Sequence, residues 1–236
     1  MEQAERIIPN HLGLIVDGNR RWAKERGLTT YEGHKQGFEV LKQVAYYAQA
    51  RRIPYLSAFI FSTENWQRSE SEVGYLMKIF LHAFRHDMKQ MIGDGFRIIF
   101  LGRRDRVSRD ILRAMDEAEK LSAGNDRTVL ALHFNYGGRA EIIDAARHLA
   151  ADVRAGKANL AEMSEERFAG YMYHPELPDL DLMVRTSGEQ RLSGFMLWRV
   201  AYSELMFIDK NWPDMTEQDI DDIIDEYSRR NRRFGK

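Results

Sequence analysis

His11-Leu12-Gly13-Leu14-Ile15-Val16-Asp17-Gly18-Asn19-Arg20-Arg21-Trp22-Ala23 is the stretch whose reading decides the fold. Its first six residues read as a short buried strand, Asp17-Gly18-Asn19 as a turn, and Trp22 to Arg26 as the opening of a helix. A strand–turn–helix junction aims free backbone N–H groups and a partial positive charge at an anion. An acid, a glycine and two guanidinium groups at such a junction are suited to a metal ion and a diphosphate. On this stretch alone, a plain turn followed by solvated arginines is an equally open reading.

The remaining chain repeats the pattern. Apolar runs at 12–16, 55–61, 96–101, 129–134 and 180–184 are each followed by a polar or glycine-bearing turn and then by helical periodicity. The helices are expected over 34–52, 71–92, 108–123, 139–155 and 215–233. Such alternation predicts an α/β fold, a central mostly parallel sheet flanked by helices, with functional loops at the strand C-terminal ends. The 236 residues are 44% hydrophobic, enough for one sizeable core, and no repeat or linker divides them, so a single domain over 1–236 is expected.

A formal net charge of -1 provides no global field to recruit nucleic acid, so an anion must be bound at a local site. The absence of cysteine excludes disulfides and thiolate metal sites and fits a reducing compartment. Met1-Glu2-Gln3-Ala4-Glu5-Arg6 has no secretory character, and no uncharged run approaches the roughly 20 apolar residues of a membrane span. A cytoplasmic protein, at most peripheral to a membrane, is expected.

Two further loops resemble the first in position and chemistry. Phe61-Ser62-Thr63-Glu64-Asn65-Trp66-Gln67-Arg68 ends one apolar strand, with Glu72 opening the next helix. Hydroxyls, a carboxamide and an arginine there can grip phosphate oxygens beside a rigid Trp66 wall, although helix capping also uses such residues. Arg185-Thr186-Ser187-Gly188-Glu189-Gln190-Arg191-Leu192-Ser193 ends another strand, and its arginines and hydroxyls form a natural oxyanion cradle. Three arginine-bearing strand-end loops in one chain favour a shared anion site over three unrelated surface loops.

These loops, with Gly33-His34, Asn135-Tyr136-Gly137-Gly138-Arg139, Ala201-Tyr202-Ser203-Glu204-Leu205, Trp212-Pro213 and Arg232-Arg233-Phe234-Gly235, occur in the order found in the cis-prenyltransferase, or undecaprenyl diphosphate synthase, family. The chain resembles that family over nearly its whole length. The resemblance implies a homodimer with a hydrophobic product tunnel, condensing isopentenyl diphosphate with an allylic diphosphate such as farnesyl or geranyl diphosphate in Z configuration. The product implied is undecaprenyl diphosphate or a shorter homologue serving as a cell-wall lipid carrier.

By that resemblance Asp17 and Glu204 hold Mg²⁺, while Gly18, Asn19, Arg20, Arg21, Trp22 and His34 surround the allylic diphosphate. Arg185, Arg191, Leu192 and Ser193 bind isopentenyl diphosphate. Asn65 stands at the position assigned to proton removal, with Ser62, Thr63, Glu64, Trp66 and Arg68 around it. A carboxamide is a poor base, so the released diphosphate is an alternative acceptor. The sequence departs from the family's commoner residues at Arg20, Thr30, Gln190 and Gly194. Ile60 and the bulky His133-Phe134 pair imply a short tunnel and a product shorter than undecaprenyl. A noncatalytic subunit of the same fold is the alternative function.

Two decoys carry plainer readings. Asp221-Asp222-Ile223-Ile224-Asp225 matches the aspartate-rich motif of all-helical trans-prenyltransferases, but reads better as the solvated face of an amphipathic helix. His82 and His86 have a metal-ligand spacing without the glutamate of the H-E-x-x-H pattern.

Overall fold

The computed structural model describes residues 6–230. Six strands form one sheet: β1 (His11–Ile15), β2 (Tyr55–Ser62), β3 (Phe96–Leu101), β4 (Thr128–Tyr136), β5 (Leu182–Arg185) and β6 (Glu204–Phe207). Their order is β3-β4-β2-β1-β5-β6, and every neighbouring pair is parallel. Parallel pairing forces long crossovers, which are supplied mainly by α1 (Asn19–Glu25), α2 (Thr30–Ala50), α3 (Glu70–His82), α4 (Met88–Gly93), α5 (Arg109–Ser122) and α6 (Gly138–Arg154). The chain builds the β1 side toward β3 and then returns to add β5 and β6 beyond β1. The reversal leaves a crevice above the C-terminal ends of β1 and β5, the usual ligand position in such sheets.

Strand alternation divides the core into two faces. Leu56, Ala58, Leu130, Leu132 and Phe134 join the cluster under α2, α3 and α5 and under α8 (Glu217–Arg229). Phe59, Ala131 and Tyr136 join a second cluster with Met183, Phe195 and Met196. The β2–β4 ladder breaks register twice, because Phe59 pairs with His133, Phe61 with Phe134 and Ser62 with Tyr136. Ile60 is therefore the extra residue on β2 and Asn135 the extra residue on β4. Such bulges re-aim the side chains that follow them, and here Phe61 turns to the face opposite Phe59.

Local chemistry explains the helix that shapes the crevice. Thr29 and Glu32 form a reciprocal capping box at the start of α2. On its inner face, a Cβ at Gly33 would lie 2.3 Å from the Asn19 carbonyl oxygen, and one at Gly37 would lie 2.1 Å from Asn19 Oδ1. Only glycines let α2 come this close to α1.

The five expected strands and five expected helical regions are present, with shifted ends. Sequence periodicity missed β6, four residues long, and the short α7 (Glu165–Ala169), five residues long, both too brief to show a period. The continuous helix expected over 71–92 is instead divided between α3 and α4 by a π turn at Ala83–Asp87, which carries Phe84 into the core. The expected strand over 180–184 begins later and ends on Arg185. Residues 231–233 of the expected last helix, the Arg232-Arg233-Phe234-Gly235 motif and the N-terminal Met1 to Glu5 lie outside the described residues. Among the described residues, no helix is long and apolar enough to cross a membrane.

Candidate active site

Asp17 stands just past β1, where the Thr186 hydroxyl accepts its backbone N–H at 2.9 Å and donates to its carbonyl at 2.6 Å. Adjacent strand ends are thus tied together. Asp17 Oδ1 accepts the Gly18 N–H at 2.7 Å, and Oδ2 pairs with Arg185 Nη2 at 2.8 Å. Gly18 has a φ of 106°, and a Cβ there would lie 2.5 Å from Asn211 Oδ1, so both conformation and space require glycine.

Around Asp17 the cations are parked on carboxylates. Arg21 lies 3.1 Å from Glu189 and 3.7 Å from Asp17, Arg68 lies 3.0 Å from Glu72, and Arg191 contacts Glu189. Arg185, only 4% exposed, also donates to Ser193 Oγ at 2.8 Å and to the Arg191 carbonyl. An incoming polyanion finds guanidinium groups already oriented and has to displace only their present partners.

One pocket is lined by Asp17, Asn19, His34, Ser62, Asn65, Arg68, Arg185 and Ser193. Its mouth adds Gly18, Arg20 and Arg21. Thus residues from the three loops singled out in the sequence converge, with His34 contributed by α2. Four buried side-chain polar atoms have no hydrogen-bond partner among the described residues: Asn19 Oδ1, His34 Nε2, Arg185 Nε and His133 Nδ1. The first three belong to residues lining this pocket. Buried polar groups without partners are costly and rare, so their convergence marks a place built for a polar ligand.

His34 is held neutral at physiological pH. Burial, followed by the Arg68 guanidinium, lowers its pKa to about 4 against the opposing effect of Glu72. Glu72 lies 3.5 Å from His34, 3.0 Å from Arg68 and 4.0 Å from Arg20, making it the common anchor of three ligand-facing groups. Sequence reading gave Glu72 no binding role. Its i,i+4 spacing from Arg68 was the available signal. For Thr186, and for the contact of Glu189 with Arg21, there was no comparable signal, since those partners come from a distant segment.

Not every expected site residue enters the pocket. Trp22 instead donates its indole N–H to Asp214 at 2.7 Å and lies under Arg26, and Trp66 donates to Asn135 at 2.7 Å. Thr63 and Glu64 line a neighbouring cleft that shares Ser62, Asn65 and Ser193 with the pocket. Leu192 packs against the second core cluster, and Arg191 remains exposed. Glu204 pairs with Leu182 at the opposite end of the β5–β6 ladder, about 10 Å below the level of Ile15, and lies 3.2 Å from Arg230. One chain therefore does not bring Glu204 to Asp17.

Among the described residues no group of three or more acidic, histidine or cysteine side chains is placed to cage a metal ion. Asp17 alone supplies a half-exposed carboxylate at the pocket mouth. That donor set fits Mg²⁺, which binds through one or two carboxylates and takes other oxygens from phosphate and water.

Below the polar groups, an apolar cleft shares Val16, Asn19, His34, Ile60 and Leu76 with the pocket and continues past Phe38, Leu41 and Ile79 to Phe80. Phe61, Phe80, Phe84 and Phe134 pack ring against ring beyond it, with centroid separations of 5.0–6.0 Å. The structure shows a cleft that reaches Phe80, and a through-going tunnel is not seen among the described residues.

The aspartates of the decoy helix have other partners: Asp221 is paired bidentately with Arg51, Asp225 with Arg6, and Asp222 accepts from Gln218. Asp87, beside His86, pairs with Lys42 at 2.8 Å.

Known proteins resemble the chain over nearly its whole length. The prenyltransferase family model, that of undecaprenyl diphosphate synthases, matches residues 15–235. An isoprenyl transferase from Thermotoga maritima is 46% identical over 228 residues, covering 97% of each chain. A trans,polycis-polyprenyl diphosphate synthase specific for (2Z,6E)-farnesyl diphosphate, from Thermobifida fusca, is 44% identical over 97% of this chain and 81% of its own. The crystal structure of lavandulyl diphosphate synthase from Lavandula x intermedia in complex with dimethylallyl diphosphate superposes with a TM-score of 0.92, at 35% identity, over 97% of this chain and 99% of that one.

Proposed function

The chain belongs to the undecaprenyl diphosphate synthase family of prenyltransferases, and we propose that it condenses isopentenyl diphosphate with an allylic diphosphate to give a Z-polyprenyl diphosphate shorter than undecaprenyl. The observation that carries this reading is the meeting of Asn19 Oδ1 and Arg185 Nε, buried polar atoms without a hydrogen-bond partner among the described residues, with an apolar cleft that shares five residues with their pocket. A diphosphate head and an isoprenoid tail would satisfy both halves.

The allylic diphosphate sits between Asp17 and Arg21 on one side and His34 and Arg68 on the other, with its tail under Ile60 and Leu76. Departure of the diphosphate leaves negative charge that Arg20, Arg21, Arg68 and neighbouring N–H groups are oriented to meet. Asp17 would hold Mg²⁺, which when bound would add charge neutralisation at the phosphate oxygens. Isopentenyl diphosphate occupies the Arg185, Arg191 and Ser193 side, placing its double bond next to Asn65.

Asn65 Oδ1 already accepts the Ser62 N–H at 3.1 Å, so its amide has an NH₂ left to offer the cleft. That arrangement suits an orienting donor and leaves proton uptake to the released diphosphate. The product is limited by the Phe61, Phe80, Phe84 and Phe134 cluster, which fills the space a longer tail would need.

The test incubates purified full-length protein with isopentenyl diphosphate, Mg²⁺ and dimethylallyl, geranyl or farnesyl diphosphate, followed by chromatography of the products. A chain shorter than undecaprenyl is expected, and Asp17→Ala abolishes its formation. No condensation with any primer overturns the enzyme reading in favour of a binding subunit. A dominant undecaprenyl product overturns only the length limit.

A further inference from the structure

Asn135-Tyr136-Gly137-Gly138, at the end of β4, lies between the two loops assigned to the substrates. Asn135 is the extra residue of the second ladder bulge, with a φ of 50° and 2% exposure. Its side chain is fully engaged: Oδ1 accepts the Trp66 indole N–H at 2.7 Å, and Nδ2 donates to the Arg103 and Asp105 carbonyls at 2.9 Å each. Trp66 is further held edge-on to Phe61 at 5.1 Å and under the Arg106 guanidinium at 4.7 Å. The residue next to Asn65 is therefore a fixed strut.

The next two contacts reach both loops. A Cβ on Gly137 would lie 2.6 Å from Thr63 Oγ1, so this glycine lets the 62–68 loop close onto β4. Gly138 donates its N–H to the Gly194 carbonyl at 2.8 Å, and a Cβ there would lie 2.6 Å from that oxygen and 2.8 Å from Leu197 Cγ. Asn135, Gly137 and Gly138 thus grip the Asn65 loop on one side and the Ser193-Gly194 turn on the other.

Resting on the condensation just proposed, we infer that Asn135 to Gly138 form a spacer that sets the separation of the two substrates. These are positioning residues, acting through Trp66, Thr63 and Gly194. Condensation needs the two reacting carbons held at roughly 3–3.5 Å, and a misplacement near 1 Å costs on the order of a hundredfold in rate. The bulge supplies the rigidity for that spacing, because Asn135 is tied to the backbone of the 103–105 turn as well as to the loop it positions.

Gly138→Ala must push the Ser193-Gly194 turn away, since the obstructing atom is a backbone oxygen. Steady-state condensation by the full-length protein, with isopentenyl and farnesyl diphosphate varied separately, is expected to show KM for isopentenyl diphosphate raised about fivefold or more while KM for farnesyl diphosphate holds. Farnesol released per condensation rises, because ionised primer meets water in place of its partner.

Asn135→Ala is expected to lower kcat at least about tenfold with both KM values nearly kept, and Trp66→Phe, which removes the same indole hydrogen bond, shows the same split, the double variant being no worse than the poorer single one. If Gly138→Ala fails to melt cooperatively, this non-additivity carries the test. Equal rises in both KM values, no change in either, or losses that simply add in the double variant would overturn the spacer. A wild-type protein that does not condense at all defeats the function reading instead.

Discussion

The two faces of β4 use the same strand for opposite purposes. On one face, Leu130, Leu132 and Phe134 enter a purely apolar cluster that floors the candidate product cleft. On the other, His133 and Tyr136 enter a chain of buried polar groups. The His11 Nδ1–H donates to the Pro178 carbonyl at 2.8 Å, leaving Nε2 to accept from the Ser57 hydroxyl at 2.8 Å. Ser57 Oγ in turn lies 3.2 Å from His133 Nε2, whose N–H it accepts. Nearby, Glu141 receives the Tyr136 hydroxyl, Arg199 at 3.0 Å and the Tyr173 N–H at 3.1 Å. The apolar face tolerates changes of shape at moderate cost, whereas the polar face depends on its pairings, which among the described residues leave only His133 Nδ1 without a partner.

The largest effect is expected where pairing is most complete. Glu141→Ala leaves Arg199, 4% exposed, as an uncompensated buried charge and should cost about 3–5 kcal/mol in urea unfolding. A cost below about 1 kcal/mol would show that the polar face tolerates loss much as the apolar one does.

Acid should separate the two faces next. Burial, partly opposed by the Pro178 carbonyl, lowers the His11 pKa from 6.5 to about 4, and burial holds His133 well below its ordinary range. Between those limits the unfolded chain binds the proton first. The stability linked to neutral His11 is thus present above pH 6.5 and lost as pH falls through about 4, by roughly 3 kcal/mol. His34, also near 4, adds to this loss in the free protein. The negative charge of a bound diphosphate analogue should raise the His34 pKa, so that the protein takes up a proton there on binding and calorimetric binding near pH 5.5 depends on the buffer's ionisation enthalpy. His11→Leu flattening none of the acid slope would contradict the assignment.

Phe134→Leu tests the apolar face, with an expected loss of about 1 kcal/mol and a shift of products toward longer chains. Unchanged chain lengths would mean that another wall of the cleft sets the limit. The smallest effect belongs to Asp222→Ala, outside both faces, where stability should move by less than about 0.5 kcal/mol and turnover should be unchanged.

Several differences between pattern and structure have one cause. Strict alternation would place Phe61 with Phe59, but the bulge at Ile60 turns it toward Phe134. Likewise Trp66 reads as an apolar wall and Trp22, by resemblance, as a substrate contact, yet Asn135 and Asp214, each at least 69 positions away, capture their indole N–H groups. A local pattern contains no term for such partners.

The sequence by itself determined the α/β class, the parallel crossovers and the three strand-end loops, because hydrophobic period, glycine turns and charge type act over a few residues. It also identified the groups suited to a diphosphate. Tertiary structure decided which of them meet. It joined Asp17 to Arg185 through neighbouring strands, brought Glu72 beneath His34 and Arg68, and left Glu204 at the far end of its strand. Those outcomes depend on strand order, register and two bulged residues, which arise from packing between segments up to 168 positions apart.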